Sequence, residues 1–326
     1  MNIALYASKN IVDMVFEPRH LARLAELGNF SDCSFTDRGE MTREQLHDVE
    51  IIVSSWGMPK MTEEFLDAVP NLKAVFYAAG TVKGFVTDEM YKRGIVLSSA
   101  APANAVPVSE YTIGVILLAN KRFFEFMRKS KHHGFNLMHE APGNYRRTIG
   151  IISASMVGRD VMRLLQQYDL NVLLYDPYVT PEQAVEMGAT KVELQELMAQ
   201  SDVVSLHAPN LPNLRHMINA ELLALMKEGA TFINTARGAL VDEAALIAEL
   251  QARRIYAVLD VTDPEPPVAD SPFYTLPNAI YTPHIAGSMN PECARMADFA
   301  LAELERYLAG EPLQNAVKQE VLAILA

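Results

Sequence analysis

Apolar, β-branched runs recur along the chain with helix-forming stretches between them, in two successive series. In the first, Ile3–Tyr6, Ile51–Val53, Leu72–Tyr77 and Ile95–Leu97 alternate with helical segments such as Arg19–Leu27 and Thr62–Val69. In the second, Ile149–Ile152, Val172–Tyr175, Val203–Leu206, Phe232–Ile233, Ala257–Leu259 and Ala279–Tyr281 alternate with longer helices. Strands that are apolar throughout need cover on both faces, which βαβ units with parallel sheets provide. The pattern therefore predicts an α/β protein of two doubly wound parallel-sheet domains. A length of 326 residues, long for a single core, agrees.

Between the series, Val108–Lys131 carries apolar residues at Val108, Ile113, Ile116, Leu117, Phe123 and Phe124, broadly at helical spacing. It reads as one long helix crossing between domains. The uncharged, twice-proline segment Ala100–Pro107 before it reads as a hinge loop. Lys131–Arg147 has no period and reads as a surface excursion. Pro291–Leu308 reads as a helix capped by Asn290 that returns to the first domain.

Composition narrows the function. A net charge of −12 without a Lys/Arg-rich run argues against nucleic acid. Cys33 and Cys293 stand alone, so neither a zinc site nor a disulfide framework is expected. The start MNIALYASKN lacks a signal-peptide core, and no apolar run approaches the ~20 residues that span a bilayer. A cytoplasmic protein without membrane contact is the expectation.

The stretch TIGIISASMVGRDVMRLLQQYDLNVLLYDP has the rhythm of a dinucleotide-binding βαβ unit. Ser153, Ser155 and Gly158 stand where three glycines are expected, so only the glycine that packs helix on strand is kept. A serine forced to positive φ costs roughly 1–2 kcal/mol, and a micromolar cofactor is held by about 8 kcal/mol, so binding weakens without vanishing. The helix N-terminus at Ser155, Met156 and Val157 still offers N–H groups to phosphates. Asp176 ends the next strand, where its carboxylate can accept from a ribose 2′-hydroxyl and would repel a 2′-phosphate. Pro177 and Tyr178 supply no compensating arginine, so NAD is expected rather than NADP.

Three residues in the second series carry the chemistry: Arg237 in INTARG, Glu265 in DVTDPEP and His284 in TPHIAG. Each follows an apolar run, so parallel strands would bring all three to one sheet edge. A guanidinium fork holds a carboxylate bidentately, which lysine cannot copy. An imidazole passes a proton at neutral pH. A carboxylate beside it favours imidazolium and fixes which ring nitrogen faces substrate. Asp263 is a weaker candidate for that last duty. Gly238, after Arg237, reads as room for a ligand. His20, His47, His132, His133, His139 and His216 read as surface or loop residues.

Here the sequence resembles the NAD-dependent D-2-hydroxyacid dehydrogenase family. SDVVSLHAPN, MKEGATFINTARGALVDEAAL, LDVTDPEPP and LPNAIYTPHIAGS carry the resemblance in the second series. AAG and RGIVLSSAAPANAVPVSEYT carry it in the first. It implies a flavodoxin-like substrate domain over residues 1–103 plus 288–326 and a Rossmann NAD domain over 104–287. It assigns Arg237 to substrate and Glu265 and His284 to acid–base work. It places Asp260 by the nicotinamide carboxamide, with His207, Ala208, Pro209, Thr235 and Ala236 bordering the cofactor. Leu211 and Leu214 replace the family's usual threonines beside that border. On the substrate side it points to Gly80, Thr81 and Asn104, although GTVKG departs from the family's loop pattern, and Trp56 is a candidate pocket wall.

The leading expectation is an oxidoreductase moving hydride between NAD(H) and a small 2-keto or 2-hydroxy acid, paired as a homodimer through the cofactor domain. An NAD(H)-sensing scaffold, like the family's corepressor branch, is the alternative. The complete Arg–Glu–His set weighs against it, because a sensor needs no acid–base pair. Glu265 likewise weighs against the formate dehydrogenase branch, which carries an amide there. The chain ends soon after the return helix, so a regulatory C-terminal domain is not expected.

Overall fold

The computed structural model describes residues 1–36, 43–133 and 140–322. Among them the chain forms two compact units, residues 1–105 with 288–325 and residues 106–287. In the first unit, β1 (Asn2–Leu5), β2 (Asn29–Asp32), β3 (Ile51–Ser54), β4 (Ala74–Tyr77) and β5 (Val96–Ser99) make a sheet of order β2-β1-β3-β4-β5. The second unit holds β6 (Thr148–Ile152), β7 (Asn171–Tyr175), β8 (Thr190–Lys191), β9 (Val203–Leu206), β10 (Thr231–Asn234), β11 (Tyr256–Leu259) and β12 (Ala279–Tyr281). Their order is β12-β11-β10-β9-β6-β7-β8, and every pairing in both sheets is parallel.

The central strands are apolar on both faces, and β3, β4, β9 and β10 are buried along their whole lengths. β2, with sequence NFSD, lies at a sheet edge and is largely exposed. It has no apolar run, which is why the sequence pattern passes over it. In the second sheet the chain starts at β6, winds outward through β7 and β8, then returns to β9 and winds the other way. The boundary between β6 and β9 is a topological switch point, where ligands of open α/β sheets bind beyond the carboxyl ends of the strands.

The helix Pro291–Leu308 buries Cys293, Met296, Ala297, Ala300, Leu301 and Leu304 in the core of the first unit. Its buried Glu303 accepts from the Ser98 hydroxyl (3.0 Å) and from the N–H groups of Gln314 (3.0 Å) and Asn315 (2.9 Å). A carboxylate so surrounded by donors fixes the C-terminal segment against β5.

Four expectations need correction. The crossing helix is two helices, Ala101–Asn120 and Phe123–His133, broken where Arg122 takes φ +53°. The Arg122 guanidinium lies 4.1 Å above the Tyr256 ring and donates to the Gly229 carbonyl, interactions that hold the break. Ala100–Pro107 is no loop, because the first of these helices starts at Ala101. Pro102 sits in its first turn, where a missing N–H costs nothing, and Pro107 is accepted inside it. His20 is buried; its Nδ1 accepts from the Glu17 N–H and its Nε2 pairs with Asp298, both at 2.9 Å. Asn290 precedes the last helix without a side-chain cap, and Glu292 accepts from the Met289 N–H instead. Within the expected excursion Lys131–Arg147, residues 134–139 lie outside the described residues.

Candidate active site

Three loops leave the carboxyl ends of β10, β11 and β12, and each carries one of the three expected residues. In the first, buried Asn234 accepts from the Ala236 N–H through Oδ1 and donates to the Arg237 carbonyl through Nδ2, both at 3.0 Å. One amide thus closes the turn that presents Arg237. The half-buried Arg237 donates to the Ala236 carbonyl at 2.6 Å. Burial lowers its pKa from the ordinary value, and the nearby Glu265 carboxylate opposes that shift. The guanidinium remains a cation. A Cβ on Gly238 would lie 2.0 Å from the Thr262 carbonyl carbon and 2.5 Å from the Asp263 nitrogen. Gly238 therefore admits the neighbouring loop, not a ligand as its position in sequence suggests.

That neighbouring loop is shaped by the Thr262 hydroxyl donating to the Pro264 carbonyl (2.8 Å) and the Asp263 N–H donating to Glu243 (2.7 Å). The Asp263 carboxylate pairs with Arg215 at 3.0 Å, which takes it out of contention as the partner of His284. Glu265 sits between two prolines, with Oε1 2.6 Å from His284 Nδ1. The histidine side chain is 49% exposed and its partner 36%, so the pair stands open at the sheet edge. With Nδ1 engaged, Nε2 is the nitrogen left to exchange a proton.

His284 adopts φ +56°, a backbone region that side chains other than glycine seldom take. The surroundings impose it. The His284 N–H donates to the Asp260 carbonyl (3.0 Å), while the Asp260 carboxylate accepts from Ile285 and Ala286 N–H groups (2.9 Å each) and the Thr282 hydroxyl (2.7 Å). Asp260 is 1% exposed. Its carboxylate braces the loop that carries His284.

At the switch point, the loop after β6 takes the strained form where the first glycine is missing. Ser153 adopts φ +80°, and its hydroxyl lies 3.4 Å from Asp176. Ser155 has ordinary extended geometry and caps the helix Met156–Leu165 by accepting from the Gly158 N–H at 3.3 Å. The Met156 and Val157 N–H groups precede the helix's own hydrogen-bonding ladder and suit an anion. A Cβ on Gly158 would lie 2.1 Å from the Ser153 carbonyl oxygen, so this glycine does set the approach of helix to strand. Asp176, nearly buried at the end of β7, accepts from Ala154 and Tyr178 N–H groups at 2.8 Å each. This cradle of small side chains, helix N–H groups and a strand-end acid fits a dinucleotide.

Beside it, at the end of β9, His207 is buried with Nε2 2.9 Å from the Ser205 hydroxyl, and burial pushes its pKa down to about 3. It is neutral and held within the protein. Ala208 is buried, Pro209 and Ala236 are half-buried, and Thr235 is buried with its hydroxyl 3.4 Å from that of Thr112.

In the first unit, a Cβ on Gly80 would meet the Asn104 amide nitrogen at 3.3 Å, so those two expected substrate residues are neighbours. The Asn104 amide oxygen accepts from the Ser288 N–H at 3.2 Å. Thr81 is exposed, and Trp56, just past β3, packs half-buried against the core of this unit. Sequence reasoning overlooks Asn234, Thr262 and Thr282, all short polar residues at strand ends. Their position beside Arg237, Pro264 and His284 is the one cue they offer.

A family model described as "D-isomer specific 2-hydroxyacid dehydrogenase, NAD binding domain" matches residues 113–286, over half of the chain. Glyoxylate reductase of Korarchaeum cryptofilum is 31% identical over 86% of each chain. D-3-phosphoglycerate dehydrogenase of Methanocaldococcus jannaschii is 31% identical over 93% of this chain and 59% of its own length. The chain thus spans about half to three-fifths of the curated D-3-phosphoglycerate dehydrogenases it matches. D-lactate dehydrogenase of Aquifex aeolicus, solved with NAD and lactic acid, is 27% identical with a TM-score of 0.72 over 94% of this chain and 96% of that one. The fold and the loops at its sheet edge define a doubly wound protein with a dinucleotide site. The chain belongs to the D-isomer specific 2-hydroxyacid dehydrogenase family, and its second unit holds that family's NAD binding domain.

Proposed function

We propose that this chain reduces small 2-keto acids to D-2-hydroxy acids with NADH and runs the reverse oxidation with NAD. The observation that carries the reading is the 2.6 Å pairing of His284 with Glu265 on loops adjoining that of Arg237. Arg237 binds and orients the substrate carboxylate by a bidentate fork. The His284 Nε2 proton goes to the carbonyl oxygen during reduction and returns to Nε2 during oxidation. Glu265 holds the ring through Nδ1, which leaves Nε2 for the substrate. The loops of Ser155, Met156, Val157, Asp176, His207, Ala208, Pro209, Thr235 and Ala236 would hold the cofactor, which when bound supplies the hydride. Asp176 favours NAD over NADP, since no cation adjoins it in sequence to receive a 2′-phosphate. Gly80, Thr81 and Asn104 serve the substrate, with Trp56 as a wall. The working state is a cytoplasmic homodimer formed through the cofactor unit. No helix among the described residues is long and apolar enough to cross a membrane.

Mixing the protein with NADH and glyoxylate, hydroxypyruvate or phenylpyruvate should consume absorbance at the nicotinamide band. His284→Ala should slow turnover by a factor of about 100 or more, the usual contribution of a positioned acid–base group. No turnover with any keto acid, or undiminished turnover in the variant, defeats the reading.

A further inference from the structure

The helix Ala101–Asn120 presents two successive hydroxyls, Tyr111 and Thr112, to two of the site loops. Thr112 donates to the Val108 carbonyl of its own helix (2.7 Å), and its oxygen lies 3.4 Å from the Thr235 hydroxyl, two residues before Arg237. The Tyr111 hydroxyl lies 2.9 Å from the Thr282 hydroxyl, two residues before His284. The second contact has a direction. Thr282 has one hydroxyl proton and gives it to Asp260 Oδ1 at 2.7 Å, so Tyr111 must be the donor to Thr282. Burial raises the Tyr111 phenol above its ordinary pKa, which keeps it a donor throughout the neutral range.

We propose that Tyr111 is a positioning residue for His284, acting through the chain Tyr111 O–H to Thr282 O–H to the Asp260 carboxylate. The Asp260 end of this chain grips the site loop on both sides of His284. Its main-chain carbonyl takes the His284 N–H, and its carboxylate takes the Ile285 and Ala286 N–H groups. His284 sits at φ +56° only while those bonds hold it there. A half-exposed imidazole on a left-handed residue needs such a brace, because Glu265 alone fixes the ring and not the backbone. Tyr111 ties the brace to a 20-residue helix. Both hydroxyl protons are engaged within this chain, so the effect of Tyr111 and Thr282 should fall on the chemical step and spare binding.

This inference rests on the keto acid reductase reading, and its test separates the two. Tyr111→Phe keeps the ring and removes one donor, so kcat for a keto acid should fall about five- to tenfold, the factor one ordinary hydrogen bond carries. KM for that acid and the Kd for NADH should stay within about twofold. Thr282→Val should lower kcat at least as much, while Thr282→Ser, which retains the hydroxyl, should restore it. The His284 Cε1–H resonance, assigned by its loss in His284→Ala, should shift in Tyr111→Phe whether or not turnover is seen. Full kcat in Tyr111→Phe together with an unmoved His284 resonance overturns the proposal. A wild-type chain without keto acid turnover defeats the reductase reading alone, and the resonance then decides the brace by itself.

Discussion

Gly158 and Gly114 are both helical glycines, and replacing each by alanine should move the protein in opposite directions. At Gly158 the added methyl would fall 2.1 Å from the Ser153 carbonyl oxygen and 3.2 Å from its carbonyl carbon. Ordinary van der Waals separation then requires helix and turn to part by roughly 1 Å or more. The turn has little freedom to yield, since Ser153 already stands at φ +80°. Overpacking of this kind costs about 1–3 kcal/mol, while alanine returns at most about 1 kcal/mol of helix propensity. A net loss of about 1–2 kcal/mol should lower the melting temperature by several degrees. The same displacement would carry the Met156 and Val157 N–H groups off the phosphate position proposed for them, and losing even one charge-assisted hydrogen bond should raise the Kd for NADH about tenfold or more. At Gly114 a Cβ meets no heavy atom within 4 Å and φ is not positive, so alanine should stabilise by up to about 1 kcal/mol. Thermal unfolding by circular dichroism and titration of NADH fluorescence measure both effects. A Gly158→Ala protein that melts no lower than wild type and keeps its NADH affinity would refute the steric reasoning.

Arg237→Lys retains the charge and loses the fork, so kcat/KM for keto acids should drop about 100-fold, near the value of one charged hydrogen bond in the transition state, while NADH affinity holds. Steady-state kinetics with a keto acid decides it, and near-wild-type kcat/KM would remove Arg237 from the substrate carboxylate. His207 bears on acid stability. Its pKa is about 3 in the folded protein and 6.5 ordinarily, so the unfolded chain takes up a proton, below pH 6.5, that the folded one refuses. Stability from this residue is therefore complete above pH 6.5 and falls as pH drops towards 3, losing about 2 kcal/mol between pH 7 and pH 5. Urea unfolding at both pH values should show His207→Gln with a correspondingly shallower loss, and equal losses in both proteins would contradict a neutral buried imidazole.

The central strands were legible because burial on both faces demands uninterrupted apolar residues. Val203–Leu206 and Ala279–Tyr281 begin and end in the structure where the pattern places them. What hid was whatever burial does not dictate. β2 is an edge strand whose NFSD sequence pairs on one side only, so backbone hydrogen bonds to β1 define it without help from hydrophobicity. The break at Arg122 hid for a related reason. Helical periodicity continues from Leu117 to Phe124 across it, and the interactions that hold the break come from Tyr256 and Gly229, remote in sequence. Pro107 misled in the opposite sense: local propensity marks it as a helix breaker, yet a long helix can lose one hydrogen bond and continue.

The site divides along a similar line. The placement of Arg237, Glu265 and His284 on adjoining strand-end loops was legible because the chemistry proposed for them restricts the residue type: few side chains grip a carboxylate, pass a proton or hold an imidazole. Asp260, Thr282 and Asn234 do work that several short polar residues could do, namely accepting or donating to loop backbone, so nothing in their identity announces the role. Ser153 falls between these cases. A glycine there would have advertised the left-handed turn, but serine conceals it, and the φ of +80° emerges only with the fold. The strain at Ser153 follows β6 and that at His284 follows β12, and each lies beside a buried strand-end aspartate, Asp176 and Asp260. With its two oxygens Asp260 binds the successive Ile285 and Ala286 N–H groups, whereas Asp176 joins the Ala154 N–H to that of Tyr178 in its own loop. Both aspartates thus fix strand-end loops that carry a left-handed residue.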